Sequence, residues 1–278
     1  MTAPYNLGPA AAYSVLNNPH GLFFPDDGGY FYVVTDDHDV SRFVLTVPWD
    51  VSTIASFSKS GSIFTNSRQP SDVFISPDGV NMFITGMYAG NIAHYTLSTP
   101  WSLETLVYVR KKVINPGGTS SPRCLYFTPD GTKLFVGYYS GGVAMFLLPT
   151  PWDINSISLA AAVVVHDPDV TARAYSIWIS PDGGKLYLYS DYSNKLFIGT
   201  MATPWDLSTV SWVMDADMGP DGVLGVTGYY PYNGIFCNPS ESRLFVTGTN
   251  SGAAIFTLFG SVPAGRFWTN FKNLREEA

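Results

Sequence analysis

Short apolar runs recur along the chain, each bounded by Gly, Pro, Asn or Asp. Phe74-Ile75, Phe83-Ile84 and Ala93-Tyr95-Leu97 are one such set. They are brief, rich in β-branched and aromatic residues, and carry no helical period, so they predict strands. Between the first two lies Ser76-Pro77-Asp78-Gly79, a turn by its chemistry: Pro presets φ and Gly tolerates positive φ. After the third strand comes Pro100-Trp101, then a polar stretch and a weaker fourth run at Leu106-Val109.

This set repeats. The turn recurs at Pro25-Asp26-Asp27, Pro129-Asp130-Gly131, Pro181-Asp182-Gly183 and, altered, Pro239-Ser240-Glu241. Pro-Trp recurs at Pro48-Trp49, Pro151-Trp152 and Pro204-Trp205, in steps of about 52 residues. Propeller blades of four strands run to roughly 40–50 residues. The remaining fourth strands are expected at Ile54-Phe57, Leu159-Val165 and Val210-Val213. The last unit supplies three strands, Ile235-Cys237, Leu244-Thr247 and Ala254-Leu258, and Ala12-Leu16 is the expected fourth. The fold predicted is all-β, a five-bladed β-propeller closed by an N-terminal strand that completes the last blade, over 1–262. A C-terminal extension, 263–278, follows as a docking tail. The Pro-Trp indoles read as wedges between blades, because a large ring at the same place in each unit buries apolar area.

The bulk numbers narrow the function. The 278 residues carry a net charge of −7, with 13% charged and 15% aromatic residues. The one basic run, Arg110-Lys111-Lys112, expected directly after a strand, is too small to neutralise phosphates, so no nucleic acid is expected as a partner. No apolar stretch approaches a membrane span, and Met1–Asn6 has no signal-peptide character, so neither membrane nor secretion is expected. Low charge suggests surface covered by other subunits. Cys124 and Cys237 read as reduced core residues made in a cytosol.

Candidate chemistry is sparse. Aligned on the turn proline, His20, Asp72, Cys124, Ser176 and Gly234 share a position on the first strands, and His20 with Asp72 would sit at a channel mouth. Asp36, Asp37 and Asp39, with His38, are a weak candidate for a divalent cation. The stretch from Met214 to Tyr232 reads as an inserted loop in which Tyr229, Tyr230 and Tyr232 are contact candidates. Phe267, Trp268 and Phe271 form an apolar stripe in the tail. Glu104, Glu241, Glu276 and Glu277 fall outside the inner strands, and no nucleophile, zinc or phosphate-loop motif is present. The expectation is therefore no catalytic residues, no cofactor, and a protein that is not an enzyme.

The units Ser-Pro-Asp-Gly-x-x-Leu-Phe-Val, a Gly/Asn turn, Tyr-x-Leu and Thr-Pro-Trp-Asp resemble the YVTN/lactonase-like propeller repeats, over about residues 12–262. The Thr-Pro-Trp-Asp form is similar to repeats of bacteriophage-encoded proteins. The resemblance implies a virion structural or adsorption protein, attached to capsid, tail or fibre and made in the host cytoplasm. Its partners would be other virion proteins in an oligomeric assembly, with a host glycan as a further one. A free carbohydrate-binding lectin is the alternative, and a lactonase or glycoside hydrolase at the His20/Asp72 end is the second.

Overall fold

The computed structural model describes residues 5–7, 18–63, 65–114, 121–139, 142–166, 173–193, 195–217, 232–248 and 254–259. The protein is an all-β propeller. Its strands form five four-stranded antiparallel sheets. Sheet one is Pro19–Phe23, Tyr30–Thr35, Val40–Leu45 and Ile54–Lys59; sheet two is Pro70–Ile75, Asn81–Gly86, Asn91–Leu97 and Leu106–Val113. Sheet three is Pro122–Phe127, Lys133–Tyr138, Gly142–Leu147 and Val163–Val165; sheet four is Ala174–Ile179, Lys185–Ser190, Lys195–Met201 and Val210–Asp217. Sheet five joins Tyr232–Cys237, Arg243–Gly248 and Ala254–Phe259 to Tyr5–Leu7 from the other end of the chain.

Three expectations are corrected. The N-terminal strand in sheet five is Tyr5–Leu7, paired Tyr5 to Leu258 and Leu7 to Phe256; 12–16 lie outside the described residues. Leu159–Ala161 is a 3-10 turn, and only Val163–Val165 pairs as the outer strand of sheet three. Arg110, Lys111 and Lys112 lie inside the outer strand of sheet two rather than beyond it. There Arg110 meets Asp153 at 2.9 Å and Lys112 donates to the carbonyls of Asn155 and Ile157, which fastens sheet two to sheet three.

The first strand of each sheet is the inner one. These five strands touch in cyclic order: one to two, two to three, three to four, four to five, five to one. Each carries a bulge at the same place, as between Pro70 and Asp72. Two ends of the molecule follow from antiparallel order. One, the turn end, holds the Pro-Asp-Gly turns and Pro-Trp loops. The other, the mouth end, holds the second-to-third turns and the links between sheets.

The turn end is built by one device, used four times. Trp49, Trp101, Trp152 and Trp205 take positive φ, and each indole lies on the glycine of its own sheet's turn, Gly28, Gly79, Gly131 or Gly183. These glycines also have positive φ, and a Cβ there would overlap the indole. Each Trp then packs against the preceding sheet: Trp152 on Phe74 and Phe83, Trp205 on Tyr126 and Phe135, Trp101 on Phe23, Trp49 on Phe236. The preceding sheet also donates to the Trp carbonyl, from Tyr32 to Trp101, Lys133 to Trp205 and Arg243 to Trp49. The residue after Trp is Asp or Ser, and Asp50, Asp153 and Asp206 each accept from a backbone N–H two residues on, starting the 3-10 turn. In sheet five no Pro-Trp loop follows, and Glu241 replaces the turn glycine at φ 52. Its carboxylate takes hydrogen bonds from Lys185 and Tyr187 of sheet four.

Candidate site at the mouth end

Strand register settles which side chains share a place. Leu22 faces Val33 as Val73 faces Ile84, so Gly21 matches Asp72, and His20 matches Ser71. The alignment on Pro25 was one residue out, because Pro25 occupies the Ser76 position: Gly28 N bonds Pro25 O as Gly79 N bonds Ser76 O. The shared ring is therefore Gly21, Asp72, Cys124, Ser176 and Gly234, and His20 stands outside it.

That ring ties neighbouring sheets together. Asp72 is 6% exposed; its Oδ2 accepts from Leu125 N of sheet three and its Oδ1 from Val73 N, both at 2.9 Å. Ser176 Oγ accepts from Ile235 N of sheet five in the same way. Gly21 and Gly234 leave room for this contact, since a Cβ on Gly21 would overlap Asp72 and one on Gly234 would press on Gly21 and His20. Burial pushes the Asp72 carboxyl up to about 8, against the two N–H groups that favour its charged form. Burial, then the nearby Asp72, raises Cys124; burial also raises Cys237, and both are buried free thiols.

The preceding row lies one residue nearer the mouth end, beside the bulges. His20 is 4% exposed and its Nε2 lies 2.7 Å from Asp36 Oδ1. Burial would raise Asp36, but hydrogen bonds from His20 and Asn18 outweigh it and hold the carboxyl below its ordinary value. An ionised Asp36 accepts from a protonated Nε2 of His20. Nδ1 is buried with no hydrogen-bond partner.

Opposite, Arg123 and Tyr175 occupy the same row on sheets three and four. Arg123 lies over Tyr139 at 4.6 Å and Tyr175 at 4.9 Å; Arg173 lies over Tyr139 at 4.2 Å and Tyr192 at 5.3 Å. The result is a ladder of alternating tyrosine and arginine, with Arg173 also 3.7 Å from Asp191. Burial raises Asp191, and the two arginines oppose it without cancelling it. Arg123 Nε and Asp191 Oδ1 are buried without partners. Burial raises Tyr175; the Arg123 charge opposes it, and those of Asp191 and Asp36 add to it, so groups from sheets one, three and four act on one phenol. Sequence reasoning missed the ladder, because Arg123, Tyr139, Arg173 and Tyr192 belong to different turns and strands.

The cation candidate dissolves. Asp36 is held by His20 and Asn18, Asp37 and Asp39 by Lys59 at 3.5 and 3.1 Å, and Asp39 also accepts from Thr35. Among the described residues no group of three His, Cys, Asp or Glu is placed to hold a metal. Tyr229, Tyr230, Phe267, Trp268 and Phe271 lie outside the described residues. Tyr232 opens the inner strand of sheet five, opposite Gly248, rather than an inserted loop. Among the described residues no helix is long and apolar enough to cross a membrane.

No protein-family model and no curated protein matches the chain. Solved structures do. A candidate 6-phosphogluconolactonase from Bacteroides uniformis aligns with a TM-score of 0.51 at 18% identity, over 93% of this chain and 71% of that one. One from Bacteroides fragilis aligns at 0.50 and 16%, over 88% and 68%. A luciferin-regenerating enzyme aligns at 0.55 and 11%, over 92% and 96%. At these identities the likeness is one of fold. It corrects the expectation of a protein that is not an enzyme: three propellers of this shape are named for reactions, so a chain without sequence motifs is not thereby without chemistry.

Proposed function

We propose that the chain is a five-bladed propeller, closed by pairing Tyr5–Leu7 with the last sheet, that works as a hydrolase on an anionic sugar lactone or related ester at the mouth end. The carrying observation is the set of buried, unpartnered atoms there: His20 Nδ1 as acceptor, Arg123 Nε as donor and Asp191 Oδ1. Buried polar groups in folded proteins are paired, and unpaired ones call for a ligand or water. In this reading Asp36 orients His20, His20 Nδ1 takes the proton of a water attacking the carbonyl, and the imidazolium returns it to the ring oxygen as the acyl C–O bond breaks, leaving a carboxylate and a hydroxyl. Arg123 holds the developing oxyanion or an acidic substituent. The names of the propellers of like fold agree with a lactone as the substrate class.

The test is hydrolysis of 6-phosphogluconolactone and glucono-δ-lactone, scored above the uncatalysed rate. Turnover by the native chain that falls by about 10²-fold in His20→Gln supports the reading. An uncatalysed rate with both lactones sinks it.

A second reading places the same molecule on a phage particle, as an adsorption or structural component. Besides the Thr-Pro-Trp-Asp repeats, the exposed Tyr88 and Tyr192 favour it, since both stand on turns of the mouth end, where a glycan could stack. Proteomics of purified particles decides it: stoichiometric amounts support a virion place, and absence ends it.

A further inference from the structure

The turn end holds a second opening that the lactone reading does not use. A cavity of about 330 Å³ lies there, of a size that takes a small ligand. Its floor is one aromatic residue from each inner strand: Phe23, Phe74, Tyr126, Trp178 and Phe236. These match in register, each two residues beyond the Asp72 position. Successive rings meet edge to face, with Phe23–Phe74 at 5.3 Å and 64°, Phe74–Tyr126 at 5.4 Å and 66°, Trp178–Phe236 at 6.2 Å and 67°, and Phe236–Phe23 at 6.0 Å and 76°. In these four pairs each ring is turned from the next by close to one fifth of a rotation, as residues related by the repeat are.

The rim breaks that symmetry once. Pro77, Pro129, Pro181 and Pro239 line it from four sheets, and at the matching place sheet one carries Asp26. Asp27 is spent on the turn, where Oδ1 accepts from Gly29 N at 2.9 Å. Asp26 is exposed and makes none of these turn bonds, and its charge reaches Tyr126 on the floor. Among the described residues no lysine or arginine lines the cavity.

We propose that this cavity binds a small organic cation of the quaternary ammonium class. Aromatic rings carry a negative π face, and a desolvated ammonium carrying methyl groups gains from such a face while also burying apolar surface. Asp26 supplies the ion pair at the rim. An anion would be repelled by Asp26 and Asp27, and a neutral apolar ligand would gain nothing from them. The site is therefore selective by charge.

The experiment titrates choline chloride into the full chain, following tryptophan emission and heat, with sodium chloride at equal ionic strength as reference. Saturable binding in the millimolar range or tighter is expected. The uncharged counterpart of the same shape, 3,3-dimethyl-1-butanol, should bind about tenfold more weakly. Asp26→Asn, an exposed change that leaves the floor intact, should weaken choline about fivefold and leave the alcohol unchanged. Trp178→Leu should weaken both, and circular dichroism checks that it folds. Equal affinity for choline and the alcohol, no loss in Asp26→Asn, or no binding by the native chain would each overturn the proposal. Lactone turnover unaffected by saturating choline would keep the two sites distinct.

Discussion

The two ends of this propeller follow opposite rules. At the turn end, sheets one to four repeat one packing device, glycine under indole, with the indole against the sheet before. At the mouth end, matching positions hold His20, Ser71, Arg123 and Tyr175, four different chemistries in one row. The difference teaches that repetition serves cohesion, since every junction between sheets needs the same filler, whereas a site needs unlike groups in one place. Where the turn end departs from its rule, at Asp26 and Glu241, the departures take new partners or face a cavity.

Removing the common device should have the largest effect. Trp152→Ala leaves Phe74, Phe83 and Phe127 facing a void, and unfolding by urea should show a loss of about 3 kcal/mol. Gly131→Ala should cost about 2 kcal/mol, part from the positive φ of 70 and part from displacing the indole. In the double variant with Trp152→Ala the glycine change should cost less, because nothing remains to displace. If the two costs simply add, glycine and indole are not one unit.

The ring of Asp72 should appear in the pH profile. Its folded value near 8 lies above the ordinary 3.8, so the folded chain holds a proton that the unfolded chain has lost between those limits. Stability from this group is full below about pH 4 and is lost as pH rises toward 8. Asp72→Asn should flatten that slope, as measured by thermal melts from pH 4 to 9. His94 acts in the other direction. Burial, then the Arg110 charge, lowers it from 6.5 to about 4, so its contribution is present above pH 6.5 and fades as pH falls toward 4. His94→Gln keeps a partner for Asn81 and should soften the acid limb, by less than the tryptophan effect.

The smallest effect on stability should come from the mouth. Asp36→Asn should shift unfolding by under about 1 kcal/mol, since the pair is partly solvent-facing. The same change should cut lactone turnover about tenfold or more, because the imidazole loses its orienting carboxylate. A large loss of stability with no loss of turnover would move Asp36 from the site to the scaffold.

How much of this was legible beforehand differs between the ends. The strands, the Pro-Asp-Gly turns and the wedging role of Trp49, Trp101, Trp152 and Trp205 could be read, because a turn and a short strand are set by neighbours in the chain. Even there, Pro25 misled by one place, moving His20 into the ring that belongs to Gly21. A proline marks a turn, but only backbone register says which of its positions it occupies.

The chain by itself determined that it is a propeller repeat, since periodic turns and apolar runs are local facts. The meeting of Tyr139 with Arg123 and Arg173, of His20 with Asp36, and of five aromatic rings on one floor was decided by the tertiary structure. Those groups come from separate sheets or turns, and only the cyclic packing of inner strands brings them within reach. Sequence spacing carries no record of that, because the distances are fixed by the rotation from sheet to sheet and not by the number of residues between them.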